Sequence, residues 1–203
     1  YMGRIRHQIL RCHPAVRNIK VVDPALSQDR AAVEGVELCQ ADRIAWDLVD
    51  AVFVCTPNNL TAHLCSEALR KCGRVFCEKP PGRHWEDFSL ILDAVESTPG
   101  HVLTFGFNHR LHPAVQAAKS MIGPGGLGEI FYMKATYGKS GGVDYKKSWR
   151  NDIDVSGGGI LLDQGIHMID IFNFFLGKLD VAHAIRTDSF WKCGVEDNAF
   201  VLL

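Results

Sequence analysis

The sequence predicts an α/β fold: a doubly wound parallel sheet over residues 1–107, then an α+β domain with an open, mainly antiparallel sheet over 108–203. Three observations carry this. Short β-rich runs alternate with helical stretches up to about residue 107, as parallel strands joined by crossover helices do. Beyond residue 108 the alternation stops and β runs group apart from helices. Between those later runs lies one apolar helix that carries Asp163, His167 and Asp170.

In chain order, residues 4–12 read as a helix opening directly after Tyr1-Met2-Gly3, and residues 19–23 as a strand. The apolar run 51–55 is expected to be a strand buried on both faces. Residues 61–72 have helical spacing and stop at Gly73, a C-terminal cap signal. Strand 74–77, helix 85–98 (closed by Pro99-Gly100) and strand 102–107 complete the first domain. The second is expected to hold helix 113–122 with Pro113 at its start, strand 129–137, a glycine- and charge-rich loop over 138–154, the apolar helix, and strands 181–188 and 198–203. With no strand ahead of the first helix and a last strand cut short, a piece of a longer protein is expected.

Composition excludes several classes. Lys and Arg number 22 and Asp and Glu 23, so the net charge of −1 offers nothing to nucleic acid or to an anionic membrane. The most apolar stretch, 160–176, is interrupted by Asp163, His167 and Asp170, so no membrane span is expected. Seven scattered cysteines without a C-x-x-C pair suit free thiols in a reducing compartment, here the cytoplasm.

The chemistry concentrates at two places. Ser156-Gly157-Gly158-Gly159 opens the apolar helix, and at 3.6 residues per turn Asp163, His167 and Asp170 share one face. Charged groups on a buried helix need partners or a chemical task, and the glycines leave room for a ligand to approach the backbone. The second place is Glu78-Lys79-Pro80-Pro81. Its prolines turn the chain sharply after a strand, with a cis bond before Pro80, and hold Lys79 at the sheet's carboxyl edge. A dinucleotide site would fit the first half: Gly3 as the last glycine of a G-x-G-x-x-G turn, and Asp23, 20 residues on, for the ribose hydroxyls. Thr56-Pro57-Asn58 ends another strand on the same edge.

In combination Met2-Gly3, Asp23, Thr56-Pro57-Asn58, Glu78-Lys79-Pro80, Asn108-His109-Arg110-Leu111-His112-Pro113, Trp149-Arg150 and 157–170 resemble the glucose–fructose oxidoreductase/inositol dehydrogenase (Gfo/Idh/MocA) family over nearly the whole chain. The resemblance implies a Rossmann domain followed by a substrate and oligomerisation domain, and hydride transfer between NAD and a sugar, cyclitol or nucleotide-sugar carbinol. It implies that Lys79, Asp163 and His167 are catalytic, Asp163 orienting the general acid/base His167 and stabilising its charged form. It assigns cofactor contacts to Tyr1, Met2, Gly3, Asp23, Thr56, Pro57, Asn58, Glu78, Lys79, Pro80 and Arg110. Substrate contacts fall to Lys79, Arg110, Trp149, Arg150, Asp163 and His167, though Arg110 and Arg150 could equally bridge the two domains. A homo-oligomer, dimer or tetramer, is implied. Asp23 would repel a 2′-phosphate, so NAD is favoured over NADP. One departure stands out: many members carry a His four residues after the Thr-Pro proline, where this chain has Thr61, leaving His63 out of register as a helix-face residue.

Two other readings compete. A dinucleotide sensor would use the same fold without catalysis, but Lys79, Asp163 and His167 are all present. A metal hydrolase could use Asp163, His167 and Asp170, yet no second His/Cys cluster has ligand spacing, so no metal is expected.

Overall fold

The computed structural model describes residues 2–27, 35–123 and 125–203. Helix α1 (Met2–Arg11) precedes strand β1 (Val52–Val54), helix α2 (Asn58–Cys72), β2 (Arg74–Cys77), α3 (Trp85–Ser97) and β3 (Val102–Phe105). The three strands form a parallel sheet in the order β1-β2-β3, with Val54 paired to Cys77 and Cys77 to Phe105. The alternation expected of a doubly wound unit is therefore present.

Period-2 side-chain alternation puts Val54, Val75 and Cys77 on one face. There they pack with Ala62, Cys65, Ala68 and Leu69 of α2 and Ile91 and Ala94 of α3 to make the core. Helix α2 ends at Gly73, whose φ of 76° is the left-handed cap the sequence signalled. Ser66 ties the two helices by donating to the Leu90 carbonyl at 3.0 Å. The opposite face is thinner: Phe53 and Phe76 stack at 5.2 Å, with the Arg6 guanidinium of α1 over Phe76 at 4.7 Å. Phe53 is 39% exposed, so β1 is covered on one face rather than the two expected.

Helix α4 (Pro113–Ile122) has its expected bounds. A short helix α5 (Ile153–Ser156) leads into a wide turn of i→i+5 hydrogen bonding (Leu161–Gly165) and then α6 (Ile166–Leu176). Strands β4 (His183–Thr187) and β5 (Asn198–Leu202) pair antiparallel.

Two expected strands are absent. Residues 19–23 reduce to a single parallel bridge, Val21 with Leu38, and one bridge without a ladder does not make a strand. Residues 129–137 are extended but unpaired, with Phe131 96% and Tyr132 72% exposed; among the described residues no strand lies beside them. The run 102–107 leaves the sheet after Phe105, where the Phe107 amide turns back to the Phe105 carbonyl.

The stretch Ile153–Leu176 is long and apolar enough by composition to cross a membrane. Its Asp163 and Asp170, however, pair with Lys79 and Arg110 from beyond the carboxyl ends of β2 and β3, which makes it the site helix of this fold. It is less enclosed than expected: of α6, His167, Asp170 and Ile171 are buried and the rest half-buried or exposed.

Candidate active site

Each strand of the parallel sheet delivers residues at its carboxyl end, where open α/β sheets bind ligands. β1 gives Thr56-Pro57-Asn58, β2 gives Glu78-Lys79-Pro80, and β3 gives the turn Asn108–Leu111. The Lys79–Pro80 bond is cis.

Lys79 reaches across to the wide turn ahead of α6. Its ammonium donates to the Asp163 backbone carbonyl and, at 3.1 Å, to Asp163 Oδ1. Both side chains are largely buried, at 15% and 19% exposure. Gln164 Nε2 donates to the other Asp163 oxygen at 2.8 Å, while Arg150 Nε stands 3.5 Å and Lys139 Nζ 3.8 Å from the carboxylate. Burial pushes the Asp163 carboxyl up, but Lys79, Gln164 and Arg150 outweigh it and hold the group below the ordinary carboxylate range.

One turn on, His167 is only 5% exposed. Its ring lies 4.1 Å from the His109 ring at 36° and edge-on to Phe107 at 6.2 Å. Burial first, then Lys79 and His109, push its pKa down to about 4, with Asp163 and Asp170 only partly opposing. The imidazole is therefore neutral near pH 7. Its Nδ1 is buried with no hydrogen-bond partner among the described residues.

The expected Asp163–His167 contact is not made: the Asp163 carboxylate bonds Lys79 and Gln164 instead. A wide i→i+5 turn spans Leu161–Gly165, and both oxygens of the carboxylate it carries are already engaged there. Arg110, expected at cofactor and substrate or as a bridge, makes a bridging ion pair. Its Nε and Nη2 grip Asp170 at 2.8 and 2.5 Å, joining the turn after β3 to α6.

Other assigned residues have structural partners. Glu78 accepts from Arg6 Nε at 2.8 Å, anchoring α1, and a Cβ at Gly106 would lie 2.6 Å from its Oε2. Asn58 is buried and donates to the Ser156 carbonyl at 2.7 Å, tying α2 to α5. Thr61 donates within its own turn to the Pro57 carbonyl at 3.0 Å and lies 3.2 Å from the Thr56 hydroxyl; His63 is exposed on the helix face. Trp149 lies 4.5 Å beneath the Arg150 guanidinium.

Met2 and Gly3 open α1, and a Cβ at Gly3 would meet only Cys55 at 3.6 Å, so protein packing does not demand glycine there. Asp23 is exposed and receives the Ala25 amide on Oδ1 at 2.9 Å. Tyr1 lies outside the described residues.

The glycines before the site helix have a different reason from the one expected. A Cβ on Gly157 (φ 79°) would strike Arg83, and one on Gly159 would strike the Glu196 carbonyl. At these two positions the missing Cβ admits neighbouring protein segments. Glu196 itself accepts the Ile160 amide on its backbone carbonyl at 2.8 Å.

His109, Lys139 and Gln164 were missed as site residues. His109 sits in the quoted Asn-His-Arg run, but only the tight turn after β3 shows which way it faces; Lys139 lies in an aperiodic loop that gives no signal. All seven cysteines are free, and burial pushes the Cys55 thiol, near Glu78, up to about 11.

Residues 1–107 match the model of an oxidoreductase family, GFO/IDH/MocA, with an NAD-binding Rossmann fold, and residues 115–203 match the GFO/IDH/MocA C-terminal domain. The chain is 31% identical to levoglucosan dehydrogenase of Pseudarthrobacter phenanthrenivorans over 85% of its own length and 45% of that protein's. It is 30% identical to inositol 2-dehydrogenase of Rhizobium meliloti, over 89% of this chain and 54% of the relative. A solved levoglucosan dehydrogenase in complex with NADH superposes with a TM-score of 0.79 at 26% identity, covering 98% of this chain and 59% of the other. The chain thus spans about half the length of the curated relatives it matches. It belongs to the Gfo/Idh/MocA oxidoreductase family.

Proposed function

We propose that this chain carries the reacting groups of an NAD-dependent dehydrogenase acting on a CH–OH group of a sugar or cyclitol, with cofactor binding in 1–107 and substrate binding in 108–203. The observation that carries the reading is the Lys79–Asp163 contact, which joins the carboxyl edge of the sheet to the helix bearing His167. The relatives named levoglucosan and inositol dehydrogenase favour sugar-like substrates.

The residues fit a dinucleotide. Gly3 opens a ten-residue helix whose first amides have no intrahelical acceptor, and Asp23 presents an exposed carboxylate for ribose hydroxyls. NAD supplies a hydride acceptor when bound. His167, neutral, takes the substrate hydroxyl proton at Nε2, its Nδ1 being enclosed. Lys79, fixed by Asp163, stabilises the developing alkoxide charge. Arg150 and Lys139 flank the same carboxylate from the 138–154 loop, in reach of a substrate's outlying oxygens. The exposed Phe131, Tyr132, Phe200 and Leu202 support a homo-oligomer formed through the second half, and the free thiols support a cytoplasmic setting.

Titration with NADH and NADPH, read by nicotinamide fluorescence, tests this. NADH is expected to bind more tightly than NADPH, and Asp23→Ala to erase that preference. Binding of neither overturns the proposal, and equal losses of both on Asp23→Ala would remove the ribose role. A dinucleotide sensor would bind NADH without ever turning over.

A further inference from the structure

We infer that His109 is a positioning residue for His167: its ring covers the His167 imidazole, fixes the plane of that ring and keeps water off it. The inference rests on His167 being the base of the proposed reaction.

Among the described residues no hydrogen bond to Nδ1 orients the His167 ring, and Asp163 is turned to Lys79 and Gln164. Orientation is left to packing, which two aromatic neighbours supply, one of them backed by a third ring. His109 lies against His167 at 4.1 Å and Phe107 meets it edge-on at 86°, while Tyr137 stacks on His109 at 5.9 Å and 27°. Side chains with few rotatable bonds hold such geometry at low entropic cost.

The turn Asn108–Leu111 that presents His109 is itself clamped. The next residue, Arg110, grips Asp170, three positions along α6 from His167. The turn after β3 and the site helix are thus joined at the ion pair and at the ring stack, and each contact sets the register of the other.

The charged and titratable groups facing His167 come from each element around it: Lys79 after β2, His109 after β3, Asp163 from the wide turn and Asp170 from α6. Burial under the ring cover, the Lys79 ammonium, and His109 wherever it is protonated favour the neutral imidazole; the two carboxylates oppose. His109 is likewise pushed down, by its own burial first and then by Lys79 and His112. Two facing imidazoles that resist protonation keep His167 in its unprotonated form at neutral pH.

The test follows the His167 Cε1 resonance by 1H–13C NMR across a pH titration of this chain, the signal assigned by its loss in His167→Asn. His109→Phe keeps the ring cover and removes the charge; His109→Ala removes both. His109→Ala is expected to raise the His167 midpoint by about one pH unit or more, and His109→Phe by clearly less. Should His109→Ala lose its spectral dispersion, His109→Gln replaces it with the same expected ordering. Equal shifts in the two variants, or no shift in either, overturn the inference. Turnover that survives His167→Asn would instead overturn the base reading, and would leave the resonance measurement unaffected.

Discussion

At the scale of single residues, the site is governed by how neighbours set protonation. Lys79 holds the Asp163 carboxyl charged, and His167 is held neutral beside them. The proposed proton transfer needs the neutral imidazole, so the acidic limb of kcat/KM should fall near pH 4 and not near the ordinary value of about 6.5. The same shift predicts a stability change. An unfolded chain protonates this histidine near pH 6.5, whereas the folded chain resists until about pH 4. Its contribution to stability is thus complete above the higher value and is lost as pH falls between the two. Urea midpoints at several pH values should show the loss, and His167→Asn should flatten that part of the slope. An acidic limb near pH 6.5 in the active protein would contradict the burial described here.

At the scale of elements, legibility followed local signals. Helix α4 and strand β2 have their expected bounds because a proline start, a glycine cap and a short β-rich run are written into adjacent residues. The expected strand 129–137 failed because strand status needs a partner, which no local pattern supplies. The Asp163–His167 pairing failed for a related reason: a residue distant in sequence, Lys79, together with Gln164, takes the carboxylate. Lys79 was placed correctly from Glu-Lys-Pro-Pro, but that Asp163 would hold Lys79 and not His167 depended on a contact 84 positions apart in sequence. The glycine run was legible as close approach, though not what approached. Gly159→Ala should destabilise by about 3 kcal/mol or more, because its Cβ meets the Glu196 carbonyl and backbone gives way poorly. Gly138→Ala, with open space around the added carbon, should stay within about 0.5 kcal/mol of the parent in denaturant unfolding. Equal costs at the two positions would contradict the packing before the site helix.

At the scale of the whole molecule, two halves meet at one edge. The parallel sheet presents Lys79 and the Asn108–Leu111 turn, and the site helix presents Asp163, His167 and Asp170. Two ion pairs, Lys79–Asp163 and Arg110–Asp170, cross that edge with a ring stack between them. Neither half holds both the cation and the base, so the proposed chemistry belongs to their junction. The most direct measurement is NAD+ reduction, followed by nicotinamide absorbance over a panel of neutral aldoses and cyclitols, for the parent chain and for His167→Asn. Turnover of at least one compound is predicted, falling about 10²-fold or more in the variant with NADH binding retained. Equal turnover by parent and variant, or NADH binding without turnover of any compound by the parent, would contradict the account.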